Sequence, residues 1–121
     1  MTTLSEGRRT GEFLVSEAGG YRSRDQVRVL TDQPLPAGTV LGRVTASGVY
    51  APLDPAAEDG SETATGILYA NLAPAPDPQA ATVIARDAEV NGHCLEWPGA
   101  ATPEHRAAAV DDLAARGLII R

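Results

Sequence analysis

The 121-residue chain contains no lysine; all ten of its basic residues are arginine. That absence excludes chemistries that need a lysine amine: Schiff-base catalysis, P-loop nucleotide binding, and biotin or lipoyl carriage. Cysteine is almost missing too. Cys94 stands alone, so no internal disulfide can form, and a lone thiol fits a reducing compartment better than secretion. Only five residues are aromatic, and much of the 43% apolar fraction is alanine, which buries little area per residue. Such a monomer stands to gain from oligomerisation. No apolar run approaches the roughly 20 residues that span a bilayer, and the start of the chain is polar where a signal peptide would be apolar, so the expectation is a soluble protein with no membrane partner. The net charge of -6 opposes nucleic-acid binding, which needs a basic face.

The length suits one compact domain with a short tail. Residues Met1–Gly11 are polar and cannot bury enough area to offset the entropy of ordering, so they read as a mobile arm. Within the stretch 1 to about 25, which differs from the rest, lies one apolar island, Glu12-Phe13-Leu14-Val15-Ser16, suited to an extended strand and followed by the breaker pair Gly19-Gly20. The island has two readings: the first strand of the domain's own sheet, or a strand offered to a partner's sheet edge. The polar segment before it and the glycines after it favour the second. Arg22 and Arg24 would anchor the base of such an arm through carboxylates.

The body begins near Ser23, and the domain division expected is an extended arm over 1–25 and a β-rich domain over 26–121. Alternation across Asp25–Leu30 marks a half-buried strand. Thr39–Thr45 and Val49–Pro52, joined by Ser47-Gly48, read as a hairpin. Further strands are expected at Gly66–Leu72, Ala81–Arg86 and Glu89–Gly92, with a polyproline-like linker at Pro74–Pro78. One helix is expected over Pro103–Arg116, capped by Thr102, started by Pro103 and stopped by Gly117, with Ala107, Val110, Leu113 and Ala114 on its buried face. Leu118–Ile120 forms a last strand. The fold class is α+β, mostly β: a small barrel-like domain with one short C-terminal helix and an extended N-terminal arm.

Few residues invite a catalytic reading. His93 and Cys94 adjoin, but strand neighbours face opposite ways and no second cysteine completes a zinc set, so no metal is expected. Ser16 or Ser61 with a histidine would make a serine nucleophile, yet Ser61 in Asp59-Gly60-Ser61 fits an ordinary turn and no G-x-S-x-G is present. The acid pairs Glu58-Asp59 and Asp111-Asp112 belong to a polar loop and a solvated helix face. The sequence therefore points away from an enzyme, and no cofactor is expected.

Several segments, in order, resemble the head decoration proteins of tailed bacteriophages, the capsid cement proteins. They are Phe13-Leu14-Val15-Ser16-Glu17, Ser23-Arg24-Asp25, Ala37-Gly38-Thr39-Val40-Leu41-Gly42 and Gly48-Val49-Tyr50, with weaker echoes at Asp59-Gly60-Ser61, Gly66-Ile67-Leu68 and Leu113–Arg121. The resemblance spans nearly the whole chain. It implies a homotrimer on the outer surface of the virion at three-fold and quasi-three-fold positions, stabilising the capsid, with the major capsid protein as partner and the host cytoplasm as the place of assembly. It also implies that the arm pairs with capsid strands, which makes Glu12, Phe13, Leu14, Val15 and Ser16, with Arg22 and Arg24 at the base, the candidate capsid-binding residues. The rival readings are a phage tail or baseplate β domain, a small Ser/His hydrolase, and a carrier module suggested by Pro36–Gly42, against which the absence of lysine argues.

Overall fold

The computed structural model describes residues 9–19, 22–98 and 101–121. Five strands, β2 (Arg24–Val29), β3 (Val40–Arg43), β4 (Tyr50–Pro52), β5 (Ala64–Leu68) and β6 (Gln79–Ile84), close a barrel in the order β2-β4-β3-β5-β6. Beside it, β1 (Leu14–Glu17), β7 (Ala88–Val90) and β8 (Leu118–Ile120) form a second sheet in the order β1-β7-β8. The helix α1 (Pro103–Ala114) packs against β5 and β8. This is the mostly-β, barrel-containing α+β fold expected from the sequence.

Two apolar clusters hold these layers together, and neighbouring residues on the same strand supply both. Leu41, Leu68 and Val83 join Val29, Leu35 and Tyr50 in one cluster. Their neighbours Val40, Ile67 and Ile84 join Val90, Leu113 and Leu118 in the other. Because successive strand residues point to opposite faces, the first cluster fills the barrel and the second lies outside its wall, under the second sheet and the helix. β5 is therefore buried along its whole length.

The expected hairpin forms: Arg43 pairs with Tyr50 and Gly42 with Ala51, with Gly48 at φ 73 in the turn. The barrel closes through β2 and β6, paired antiparallel from Arg24↔Ile84 to Val29↔Gln79. Strand limits shift from the sequence expectation. β5 begins at Ala64 and stops at Leu68 rather than running over Gly66–Leu72, because Leu72 instead makes an isolated bridge with Leu35.

The helix starts as its sequence dictates. Thr102 Oγ1 accepts from His105 N, and Thr102 N donates to His105 Nδ1, each at 3.2 Å, so His105 occupies the reciprocal position usually taken by Glu or Gln. The chain leaves at Gly117, whose φ of 84 lets Leu118 enter the same core cluster as Leu113. The buried face needs correction: it is formed by Ala109 and Leu113 with half-buried Val110, while Ala107 and Ala114 are exposed.

Candidate functional site

The island at residues 12–16 lies at the start of the described chain, and the structure separates its members. Phe13 is 0% exposed and belongs to the cluster beneath the second sheet. Its carbonyl accepts a hydrogen bond from Asn91 N at 2.7 Å. Leu14 pairs with Val90 and packs against the same cluster. The reading of this island as a strand held away from the body for a partner's sheet is thus corrected: β1 is zipped to β7 of its own chain. The physical reason is size. Phe13 is the only phenylalanine in an alanine-rich chain, and fully burying such a side chain contributes about 1.5–3 kcal/mol, which an intramolecular site captures without an association cost.

The other members face outward. The register of β1 on β7 shifts between Leu14 and Ser16, and Val15 at that irregularity is 57% exposed. Glu12 and Ser16 are also exposed. Among the described residues β1 pairs only with β7, which leaves it an edge strand, and β8, the other edge, exposes Ile119.

Arg24 and Arg22 tie this strand to the body through carboxylates. Arg24 lies bidentate on Glu17, which also accepts from the Ser23 hydroxyl, and its guanidinium sits 4.3 Å from the centroid of the Tyr69 ring. The Arg24 and Ser23 hydrogen bonds hold the Glu17 carboxyl below its usual value. Arg22 stands 3.7 Å from Asp87, an exposed pair of little energetic weight. The expected hinge falls partly outside the described residues, since neither Gly20 nor Tyr21 is described; Gly19 is exposed. Arg24 opens β2, so the barrel begins inside the segment expected to be arm.

Sequence reasoning missed the anchoring roles of Glu17 and Tyr69. The i, i+7 spacing of Glu17 and Arg24 across a glycine pair was the available signal. Gly11 N donates to the Tyr69 carbonyl at 2.8 Å, so the body's hold on the chain extends back at least that far.

The residues considered for catalysis lie in different turns and elements of the fold. The Ser61 hydroxyl donates to Asp59 Oδ1 at 2.6 Å in a turn, which lowers the Asp59 pKa. His93 sits in a 3-10 turn, its amide donating to Asn91 Oδ1. Cys94 is half-buried against the core. Among the described residues no group of three His, Cys, Asp or Glu is placed to hold a metal, and no helix is long and apolar enough to cross a membrane. A cleft of about 490 Å³ is walled by prolines, Trp97 and the carboxylates of Asp32, Asp54 and Glu96, with neither serine, cysteine nor histidine in its lining.

The chain is a small β-barrel protein with an added sheet whose N-terminal strand forms an open edge. The chain belongs to the family of the bacteriophage lambda head decoration protein D, whose family model matches residues 3–118 of the 121. It is thus a phage capsid decoration protein, of a family that is structural and associates with the virion head. No curated protein matches the chain.

Proposed function

We propose that this protein binds the outer surface of the phage head as a homotrimer at three-fold and quasi-three-fold positions, contacts the major capsid protein, and stabilises the shell. The observation that carries this reading is the family match along residues 3–118, joined to the open edge of β1. The domain division proposed is an N-terminal arm over 1–25 and a β-rich domain over 26–121, with β1 of the arm and Arg24 at its end seated on the body. The capsid contact is assigned to the start of the arm, residues 1–8, together with the exposed Glu12, Val15 and Ser16, and with Arg22 beside them. Phe13, Leu14 and Arg24 serve this contact indirectly, by fixing where the edge strand sits.

The energetics favour a trimer. A strand added to β1 gains roughly 1 kcal/mol per backbone hydrogen bond, while each residue that has to be fixed to make the contact costs on the order of 1–2 kcal/mol, so a single contact is weak. Three contacts on one rigid body turn the later ones into intramolecular events, with gains of about 10²- to 10⁴-fold where the geometry allows simultaneous engagement. Symmetric placement meets that condition. In the host cytoplasm, before shells are available, the protein remains free.

The test is addition of purified protein to expanded shells lacking it. Saturation at three copies per three-fold position, with a gain in shell resistance to heat, supports the reading. Binding without saturation, or to unrelated shells equally, defeats it.

A further inference from the structure

Of the nine arginines in the described residues, seven have partners. Arg22, Arg24, Arg86 and Arg121 meet carboxylates, Arg28 meets the Pro78 carbonyl, Arg106 stands over the Trp97 ring, and Arg9 is likewise engaged. The remaining two, Arg43 and Arg116, come from distant parts of the chain and line the same cleft, of about 310 Å³. Both are exposed. In a chain of net charge -6, two arginines lining one cleft make a local positive feature that suits a negative partner.

The fold brings them together by identifiable steps. Arg43 ends β3, and Arg116 follows α1, which is seated on β5 through Ala109 and Leu113. The loop after β4 then closes on the strand end: Thr45 N donates to the Asp59 carbonyl at 2.8 Å, and Gly60 lies against residues 43–45 with φ 109. A side chain at Gly60 would meet Thr45 Oγ1 at 2.3 Å and the Arg43 carbonyl at 2.6 Å, so only glycine permits this closure. Thr45, Thr63 and Thr65 bring hydroxyls to the walls, Thr65 already donating to the Thr63 carbonyl. One acid, Glu62, shares the cleft, and its Oε2 accepts from Gly60 N at 2.8 Å. The balance of side-chain charge in the cleft is one positive.

We propose that this cleft is an oxyanion site, taking a carboxylate or phosphate group on Arg43 and Arg116 with the Thr45 and Thr63 hydroxyls as further donors. Planar guanidiniums suit such two-oxygen acceptors better than halide ions. The chemistry is shared by two sources, a free anion from solution and an acidic side chain of the shell. The second source rests on the capsid reading above, whereas the site itself does not.

The experiment is an NMR titration of the full-length free protein with inorganic phosphate against chloride at matched ionic strength. Saturable shifts at the Thr45, Gly60 and Thr63 amides are expected, with half-saturation at about 1–10 mM, weakened about tenfold or more in Arg43→Gln/Arg116→Gln. Both arginines are exposed, so the double variant should keep the wild-type unfolding curve. Shifts that never saturate, or that persist equally in the variant, overturn the proposal. Attachment of the same variant to shells then separates the sources. Weakened attachment assigns the natural oxyanion to the shell, and unchanged attachment with lost phosphate binding assigns it to solution.

Discussion

Arg24 on β2 grips Glu17 on β1 with both arms of its guanidinium, Nη2 at 2.5 Å from Oε1 and Nε at 3.1 Å from Oε2. Both side chains are about four-fifths covered, so the pair is shielded more than an ordinary surface bridge. It fastens the open edge strand to the barrel. Glu17→Gln is expected to lower stability by about 1–2 kcal/mol, read by chemical denaturation, with β1 amides exchanging faster than those of the barrel.

The same pair sets a pH dependence. The Glu17 pKa is lowered in the folded chain from an ordinary value of 4.5, first by the Arg24 hydrogen bond and then by Ser23. Its contribution is therefore complete above 4.5 and disappears as the pH falls through the lower folded value. Asp59 and Glu89, also lowered, act in the same direction. The wild type should lose more stability than Glu17→Gln between neutral pH and pH 3. Parallel losses would show that the pair contributes nothing.

Phe13 and Val15 are two residues apart and should behave oppositely. Phe13→Ala empties a buried site and is expected to cost about 3–5 kcal/mol in the free protein. Val15→Asp changes an exposed residue and should stay within about 0.5 kcal/mol in denaturation, while weakening shell attachment about tenfold or more. A neutral Phe13→Ala would contradict the packing described above.

Removal of residues 1–8 spares every described residue of the two apolar clusters. The truncated protein should unfold at the wild-type denaturant midpoint and fail to co-sediment with expanded shells. Undiminished co-sedimentation would move the capsid contact onto the body alone.

Thr102→Ala removes one half of the reciprocal cap at the start of α1. A loss of about 1 kcal/mol is expected, and His105→Ala should cost less when combined with it than alone, because the two side chains serve one helix end.

Much of the fold was legible because local rules decided it. The hairpin around Gly48, the proline and threonine at the helix start, and the glycine at its end each state their geometry within a few residues. What escaped was set by distant partners. The apolar island looked detachable because its neighbours in sequence are polar and glycine-rich, and nothing local reveals that Val90, Leu113 and Leu118 gather around Phe13. The helix face was misplaced for a similar reason: with alanine at most positions, the periodicity carries little contrast, and the packing of α1 on β5 and β8 chose Ala109 over Ala107. The cleft lined by Arg43 and Arg116 had no sequence signal at all, since the two arginines stand far apart in the chain.

The seating of Phe13 bears on how a shell clamp would carry load. Tension reaching Gly11 meets the Tyr69 carbonyl and then a phenyl ring sunk among aliphatic side chains, so it is resisted by the sheet, the barrel wall and the helix together. A swelling head pulling on such a tether would have to extract its deepest plug before the strand behind it could peel.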